Sequence, residues 1–517
     1  MLHANLPAKG AALAAALLLA ALVGQALGQR SDPAKPPLPQ AVNNQPDQRT
    51  AAPPSILGPD TRPIDFDSAL RLAGVRNPEL MIARERLTEA AALRQFAAAQ
   101  LLPNLNAGTN YDDHSGNLQQ STGATLVVHR QSLYVGAGAG AIGAGTVAIP
   151  GVVWNQQLSE LIFNNLIAQQ AVVQRDFGLE ATRNNVLLQV AVAYQELLRA
   201  EGLWAVAIKN RDDTKEVARI TAAYAKTGQG RQADADRAAT ELARRDLDVM
   251  QSEGQVLTAS AGLCRLLSLD PACRLHPIDL AVVPSTVVAD EIPMKELIAT
   301  AVMRRPELKE QQAAIRQALF ALRGARALPF TPNVLIGYST GTFGGGSDLS
   351  PPELGNFQGR SDFDAVAFWT LQNLGVGNVA LIHEAQSHVR TENYQMTRVL
   401  DQVRDEVAEA YARAHARWSQ IGTDEKAVRT AQEAFAEDLR RIRGQEGLPI
   451  EVLDSVRLLG QGRSDYLNAI LDYNRAELEL YVALGQPPAN VLARPAPAPA
   501  EPIPPPAPGP VMNPGNP

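Results

Sequence analysis

Apolar residues recur at helical spacing in two long tracts of this chain. In the first tract the steps are 3, 4, 3, 7 and 4, at Leu187, Val190, Tyr194, Leu197, Trp204 and Ile208. In the second the steps are 4, 4, 3, 4 and 3, at Val403, Val407, Tyr411, Ala414, Trp418 and Ile421. Such spacing places an apolar stripe on one side of a helix. Coiled-coil-like packing and an ordinary antiparallel helical bundle both fit this pattern.

Two long helical hairpins are predicted. Residues 157–226 predict one helix, on the order of 100 Å long at 1.5 Å per residue. A glycine-containing turn and a second long helix running back follow it. Residues 379–443 and 451–484 predict the same hairpin again.

Shorter elements precede each hairpin. A helix interrupted at Asn77-Pro78 is predicted over residues 65–101, and residues 293–328 predict its counterpart. Between the short and the long helices lie short runs with strand-type alternation: residues 104–111, 124–135, 333–342 and 363–371. Each copy is thus expected to contain a helix, a β-hairpin and a long helical hairpin.

The two sets of elements form an internal repeat. Pro78 and Pro306 lie at the same place in the similar segments AGVRNPEL and AVMRRPEL. The Pro-Asn pairs that end the following helices, at Asn104 and Asn333, have nearly the same offset. The offset between Tyr194 and Tyr411 is shorter. The first copy therefore carries about a dozen extra residues between Asn104 and Tyr194.

Proline usage supports this organisation. Of 36 prolines, thirteen lie between Pro487 and Pro517 and nine between Pro33 and Pro63. None lies between Gly151 and Asp270 or between Glu353 and Leu448. Because proline in a helix interior costs about 3 kcal/mol, long helices are confined to these tracts. Residues 29–63 and 489–517 are expected to be Pro-rich disordered segments.

Charge and cysteine content exclude several classes. The net charge is −7 and no basic block occurs, which argues against nucleic-acid binding. Cys264 and Cys273 are the only two cysteines, on either side of Asp270-Pro271. No Cys-x-x-Cys pattern is present, so a disulfide scaffold and a cysteine metal site are not expected. If the chain is exported, a disulfide between the two cysteines is favoured over free thiols.

The N-terminus predicts export. Lys9 precedes an apolar run from Ala11 to Val23, and Ala26-Leu27-Gly28 supplies small residues for cleavage. Residues 1–28 are therefore interpreted as a signal peptide. The apolar run is too short to span a bilayer comfortably, although an uncleaved anchor is the alternative.

The strand runs have the length that tilted membrane strands need. Four strands in lipid would leave unpaired edges, which is very costly, and membrane barrels need at least about eight strands. If these strands enter a membrane, several chains must share one barrel.

Five short motifs carry a family resemblance: Asn77-Pro-Glu-Leu80, Leu101-Leu-Pro-Asn104, Gly228-Gln-Gly-Arg-Gln-Ala-Asp234 followed by Ala238, Val452-Leu-Asp454, and the run from Asp465 to Leu480. In this order the chain resembles the TolC-like outer-membrane efflux proteins, over about residues 65–488. The resemblance implies a mainly α fold with membrane β-strands: a homotrimer with a twelve-stranded β-barrel, continued by a periplasmic α-helical barrel. The first repeat is placed at residues 64–275, with strands at about 104–156, and the second at 276–488, with strands at about 332–373.

The resemblance also implies a function. Such proteins are exit ducts of tripartite efflux or type I secretion systems, contacting outer-membrane lipid, a periplasmic adaptor and an inner-membrane transporter. They perform no chemistry and need no cofactor or metal. The alternative is a periplasmic coiled-coil scaffold or adaptor. An adaptor would have one helical hairpin between small β domains, whereas this chain has two, which favours the duct. The sequence does not identify the transported substrate.

The helix tips are the best candidate site, where an adaptor would dock: Gly228, Gly230, Arg231, Asp234, Gly444 and Gly447. Gly228 and Gly230 are expected to supply positive φ angles, and Asp234 could simply stabilise the start of the returning helix. The second tip has one residue more between its first glycine and its acidic position, and it contains Pro449. A different shape is expected for it.

Two further pairs of residues are candidate functional sites, and each pair also has an ordinary structural explanation. Glu437 and Asp438, near the second tip, could form acidic rings at a tunnel aperture, or simply lie on a solvated helix face. Trp154 and Trp369 could belong to an aromatic girdle at the membrane surface, or pack in the core.

Two segments resemble binding motifs but lack the neighbouring structure that these motifs require. Gly138–Gly143 fits a dinucleotide-binding glycine pattern, but no helix is predicted after it. His383 and His388 would lie about 140° apart around a helix, which is unsuited to a shared metal. The glycine-rich run 136–145 is expected in the strand region, either outside the cell or inside the barrel.

Overall fold

The computed structural model describes residues 61–143, 145–278, 282–444 and 446–486. The expected signal peptide (residues 1–28), residues 29–60 of the expected linker and the expected C-terminal tail (residues 489–517) lie outside the described residues.

The described residues form eight α-helices, in two sets of four with the same order. The first set is α1 (Phe66–Arg76), α2 (Pro78–Ala99), α3 (Leu158–Lys226) and α4 (Gln232–Leu267). The second set is α5 (Met294–Arg304), α6 (Pro306–Ala327), α7 (Val376–Arg443) and α8 (Pro449–Ala483). Short 3₁₀ turns, Leu328–Phe330 and Gln372–Gly375, precede the strand that begins at Asn333 and helix α7, respectively. The repeat read from the sequence is thus a repeat of structure.

The break between the first two helices follows from Asn77-Pro78. Asn77 has extended backbone angles, and its Oδ1 accepts a hydrogen bond from the Glu79 N–H at 2.9 Å. Pro78 occupies the first helical position, where a missing N–H costs nothing. The Asn77 amide also donates to the Leu266 carbonyl at 3.0 Å, which ties the break to the end of α4.

The long helices pack mainly against other helices. Helix α3 contacts α2, α4, α6 and α8, and α7 contacts α5, α6 and α8. From the first predicted apolar stripe, Leu187, Val190, Tyr194 and Leu197 are buried. From the second, Val403, Val407, Ala414 and Ile421 are buried, whereas Trp418 is 47% exposed.

The described residues also form nine β-strands: β1 (Thr61–Ile64), β2 (Asn104–Leu105), β3 (Ala107–Gln119), β4 (Thr125–Ala139), β5 (Ile149–Pro150), β6 (Val152–Gln157), β7 (Arg274–Pro277), β8 (Asn333–Ser347) and β9 (Gln358–Phe368). Strands β1 and β7 pair in parallel and join the start of the first repeat to its end. The other seven form one antiparallel sheet, in which the four long strands lie in the order β3, β4, β8, β9.

Strands β4 and β6 are two parts of one interrupted strand. Both pair with the same edge of β8, since Ala137 lies opposite Thr340 and Val152 lies opposite Tyr338. A continuous strand would need one residue opposite Ser339, whereas the chain places residues 138–151 there. We call residues 138–151 the strand insertion. The register has room for one residue there, so nearly all of the strand insertion is additional to the sheet. This surplus is about the dozen extra residues that the sequence predicts for the first copy. The strand insertion therefore explains why the offset between the two repeats is shorter after it.

Among the described residues, none of the helices combines the length and apolar character needed to cross a bilayer.

Candidate functional site

The long-stranded sheet has two chemically different faces, because successive side chains of a strand point to opposite sides. Asn110, Tyr134 and Phe343 lie opposite one another and share one face. This face, called the polar face, also carries hydroxyl and charged side chains: Asp112, His114, Arg130, Ser132, Ser339, Arg360, Asp362 and Asp364. The other face, called the apolar face, carries aromatic and aliphatic side chains: Tyr111, Leu133, Val135, Ile336, Tyr338, Phe363 and Ala365.

The apolar face is open within the single chain. Tyr111 is 55% exposed and Phe363 69% exposed, and Val135 and Ile336 are also exposed. Monomeric soluble proteins rarely leave such a contiguous apolar patch uncovered, because it favours contact with lipid or another chain. This face therefore needs an apolar environment that the single chain does not supply.

The two candidate girdle tryptophans lie where the sheet meets the helices. Trp154 lies opposite Ile336 on the apolar face, and its Nε1 donates to the Gln100 carbonyl at 3.3 Å. Trp369 directly follows β9, is 61% exposed, and donates from Nε1 to the Phe330 carbonyl at 3.3 Å. Tryptophan prefers the boundary between membrane and water, and these positions fit that preference. The girdle stays a prediction.

The first tip uses its two glycines in different ways. Gly228 has a φ of 75°, in the left-handed region that favours glycine. Gly230 is not in this region, so the expected positive φ there is wrong. A Cβ on Gly230 would lie 3.0 Å from the Tyr224 Cβ, so close approach to α3 requires glycine. The N–H groups of Gln229 and Gly230 both donate to the Tyr224 carbonyl at 3.0 Å and close the helix end.

The two polar residues of the first tip, Arg231 and Asp234, also have different roles. Arg231 is the N-cap residue of α4, its side chain makes no capping hydrogen bond, and it is exposed. Asp234 lies in the first turn, where a negative charge stabilises the helix, and it pairs with Arg237 at 3.3 Å. Asp234 therefore has a structural role, and Arg231 is the better candidate for contact with a partner.

The second tip repeats the first in length. The turn between α3 and α4 covers residues 227–231, and the turn between α7 and α8 covers residues 444–448, so the two turns are equally long. Gly447 is the counterpart of Gly230: a Cβ there would lie 3.1 Å from the Arg441 Cβ. The additional residue between Gly444 and Glu451 therefore does not lengthen the second turn, and the different shape expected from it is wrong. Gly444, with a φ of −79°, corresponds to Thr227 and not to Gly228.

The two tips are connected to each other. The Tyr224 hydroxyl donates to the Ile442 carbonyl at 3.0 Å, and Arg443 Nη2 lies 3.0 Å from Glu216 Oε1. Arg219 contacts the same carboxylate at 2.8 Å. The hydrogen bond from Arg219, and then that from Arg443, lower the pKa of Glu216 to about 2. No sequence pattern predicted this link, because its partners lie in different repeats, far apart along the chain.

Arg443→Ala is expected to raise the pKa of Glu216 and loosen the link between the tips. Because the pair is partly exposed, its loss is expected to cost about 0.2–1 kcal/mol. This cost should raise amide hydrogen exchange near residues 217–224 by about 1.4-fold to fivefold. Because the pKa of Glu216 is lowered, its carboxylate stays charged at every pH above the ordinary glutamate pKa, and the link is then fully formed. The link is lost as pH falls from that ordinary pKa toward 2. Arg457→Ala, which removes a pair within α8, is the matched control. Unchanged exchange in Arg443→Ala would contradict the link.

The structure separates the two candidate aperture residues. Asp438 accepts a hydrogen bond from the Ser455 hydroxyl and lies 3.8 Å from Arg441, so it ties α7 to α8. Glu437 is 55% exposed and pairs with Arg440. Of the two, only Glu437 presents its carboxylate to an open surface.

The two cysteines are buried as thiols at the end of α4. Cys264 Sγ lies 3.5 Å from the Cys273 carbonyl oxygen, to which it donates a hydrogen bond. Burial, followed by the neighbouring Cys273, raises the pKa of Cys264. Between these two described residues the structure therefore holds a thiol contact in place of the expected disulfide.

A buried carboxylate was missed by sequence reasoning. Glu477 is 2% exposed, and its Oε2 accepts from the N–H groups of Val287 at 2.8 Å and Val288 at 2.9 Å. Nearby on the same helix, Asn474 accepts from the Ser285 N–H at 2.7 Å. Helix α8 thus holds the chain that enters the second repeat. Burial raises the pKa of Glu477.

The motifs set aside by sequence reasoning fall in unrelated places. Gly138 to Gly143 lie in the strand insertion, and His383 and His388 lie on α7. In the part of the chain that the structure describes, no three histidine, cysteine or acidic side chains come together as metal ligands would.

Known proteins share this architecture. The outer membrane protein VceC of Vibrio cholerae has a TM-score of 0.65 at 16% identity, covering 81% of this chain and 96% of its own. The MtrE outer membrane channel of Neisseria gonorrhoeae has a TM-score of 0.62 at 20% identity, covering 81% and 89%. The CmeC outer membrane channel of Campylobacter jejuni has a TM-score of 0.66 at 13% identity, covering 81% and 85%.

Similarity in amino-acid sequence covers a smaller part of the chain than similarity in structure does. Protein CyaE of Bordetella pertussis is 29% identical over 257 residues, 49% of this chain. The chain spans 50% of the length of this curated relative. No protein-family model matches the chain. At these identities the structural likeness establishes the fold of the single chain. It confirms the resemblance to TolC-like outer-membrane efflux proteins and the mainly helical fold with a β-sheet part that this resemblance predicted.

Proposed function

We propose that this chain, which has the fold of TolC-like outer-membrane channels, is one protomer of an outer-membrane exit duct. The single observation that carries this proposal is the sheet with one apolar and one polar face. Its apolar face suits lipid, and its polar face suits a water-filled passage.

The four long strands cannot enter lipid alone. Within the described residues, β3 and β9 each pair along one side only, and open edges in lipid are very costly. Three chains would supply twelve long strands and close a barrel, with α3, α4, α7 and α8 continuing it as a helical tunnel in the periplasm. A signal peptide at residues 1–28 would deliver the chain to this location.

The tips are the proposed docking site for a periplasmic adaptor, which an inner-membrane transporter would accompany. Arg231 and the backbone at Gly228, Gly230, Gly444 and Gly447 are offered for this contact, with Asp234 holding the first tip in shape. Efflux and type I secretion both fit such a duct. Glu437 would contribute to a negative aperture, and Trp154 and Trp369 would mark the boundary of the membrane.

The alternative is a periplasmic scaffold without a channel. A scaffold would be washed from membranes by carbonate, whereas a barrel would stay. The exposed apolar face argues against the scaffold, because a water-filled compartment would leave that face uncovered.

Purified protein is expected to elute as a trimer and to form discrete conductance steps in planar bilayers. The physical reason is that three sheets are needed to close a membrane barrel. Glu437→Gln is expected to weaken preference for cations, whereas Asp438→Asn, whose carboxylate contacts Ser455, is the matched control with a smaller effect. A monomer that forms no channel and leaves the membrane in carbonate would contradict the duct.

A further inference from the structure

The strand insertion is held against the polar face of the sheet. Asn110 Oδ1 accepts hydrogen bonds from the N–H groups of Gly140 at 2.9 Å and Ala141 at 3.0 Å. Asn110 Nδ2 donates back to the Ala141 carbonyl at 3.0 Å. One side chain of β3 thus satisfies three backbone groups of the insertion, as a structural partner would.

An apolar contact fixes the same segment. Ala141 and Val147 are buried in one cluster with Tyr134, and Phe343 packs against it. Ala141 and Tyr134 have no exposed surface, and Val147 is 2% exposed. Because all of these contacts lie on the polar face, the insertion covers that face and leaves the apolar face open.

Arg360 secures the far end of the insertion. Its Nη1 donates to the Gly143 carbonyl at 3.0 Å, and its Nη2 donates to the Gly145 carbonyl. Its Nε lies 2.9 Å from Asp362 Oδ2, and its guanidinium stacks over the Phe343 ring at 5.1 Å. A planar guanidinium with several directed donors is suited to holding two carbonyls at once.

Glycines let the insertion approach the sheet closely at two points. A Cβ on Gly337 would lie 2.8 Å from the Pro150 ring, and one on Gly108 would lie 3.0 Å from the Ala139 Cβ. At the neck, the Gly151 N–H donates to the Ser339 hydroxyl at 3.2 Å. Larger side chains at these positions would push the insertion away from the sheet.

We infer that the strand insertion is a built-in constriction of the duct, which sets the size of the molecules that pass. This inference rests on the proposed function. If the polar face lines the passage, each chain projects its insertion inward at the level of Gly337 to Phe343. Small barrels of about eight strands are filled by side chains, whereas barrels of about 16 to 18 strands leave an aqueous channel. A twelve-stranded barrel lies between these, so three insertions narrow it substantially.

The chemistry of the insertion indicates selection by size more than by charge. Its residues are glycine, alanine, threonine, valine, isoleucine and proline, without a charged side chain. The charged pair beneath it, Arg360 and Asp362, is only 17% exposed on each side chain. Passing molecules would therefore meet a neutral collar.

Removal of residues 139–151 provides the test. The deletion leaves Gly138 opposite Ser339 and restores the register of β4 and β6 with β8. Val366→Cys is the reporter, because Val366 lies on the polar face, opposite Leu335 and nearer the helices than the insertion. Leu118→Cys is the control, on the polar face near the hairpin turn at the other end of the sheet.

Thiol-reactive polyethylene glycols of graded mass are added outside intact cells. In the full chain, Val366→Cys is expected to react with small reagents only, and the deletion is expected to raise the limiting mass severalfold. Leu118→Cys should show the same limit with and without the insertion. The chain without an added cysteine reports any background from Cys264 and Cys273.

An unchanged size limit at Val366→Cys, in a deletion variant that still forms conducting trimers, would overturn the constriction and leave the duct intact. Absence of conductance from the full chain would instead overturn the duct. If the deletion variant does not assemble, Arg360→Gln together with Asn110→Ala releases the insertion without shortening the chain. This second variant should also raise the limit, and an unchanged limit in it would overturn the constriction.

Discussion

Gly228→Val together with Gly230→Val is expected to reduce export to the level of cells that lack this chain, while trimers still form. Valine is β-branched, and at a φ of 75° it would be strained by about 1–2 kcal/mol or more. At position 230 its Cβ would lie 3.0 Å from the Tyr224 Cβ. The first tip must therefore change shape and displace Arg231, which is the proposed contact with the adaptor.

Export of the transporter's substrate from cells is the measurement, beside the amount of trimer in the outer membrane. Gly254→Ala is the matched control in the same hairpin, because a Cβ at this helical position meets no heavy atom within 4 Å. It should leave export unchanged. Normal export by the double variant would remove the first tip from the proposed docking site.

Glu477→Ala is expected to lower the free energy of unfolding by about 1–3 kcal/mol, because it leaves the buried N–H of Val288 without its acceptor. It removes the only acceptor that the structure shows for the buried N–H of Val288, and it also removes an acceptor from Val287. Each buried donor left without an acceptor costs about 1–3 kcal/mol. Glu477→Gln keeps an acceptor oxygen and should lose much less.

The unfolding midpoint of each variant in detergent measures this effect. Because burial raises the pKa of Glu477, the folded chain binds its proton more tightly than the unfolded chain. The contribution of Glu477 to stability should therefore fall as pH rises from the ordinary glutamate pKa through the raised value. Glu477→Gln should lack this dependence. Equal midpoints for the Ala and Gln variants would show that the two backbone N–H groups do not depend on this side chain.

Much of the helical architecture could be predicted from the sequence, because local signals determine it. The break at Asn77-Pro78 follows from the backbone limits of proline, and the two proline-free tracts match the long helices α3 and α7. The repeated offset between Pro78 and Pro306 reappears as equal spacing of the short helices. These features depend on residues close together in the chain.

The remaining features depend on contacts between distant residues. The strand insertion has a glycine- and alanine-rich sequence without periodicity, and only the pairing of β4 and β6 with β8 shows where it leaves the sheet. In the second tip Gly444 takes the place of Thr227, so the order of glycines in the sequence does not align the two tips. The feature that the tips share is the close approach of Gly230 and Gly447 to the preceding helix, which only the three-dimensional contacts show. The burial of Glu477 could not be predicted either, because the backbone N–H groups that it accepts from, at Val287 and Val288, lie about 190 residues away in the chain.

The equal spans of the two tips have a consequence for symmetry. A threefold assembly of this chain would present six hairpin ends of the same length, each with a glycine packed against the preceding helix, in pseudo-sixfold order. A ring of six identical partner subunits could then meet all six ends through one kind of contact. A ring of three would leave alternate ends uncovered. If the chain assembles as the proposed trimer, its internal duplication would let that trimer bind a hexameric partner without a mismatch in symmetry.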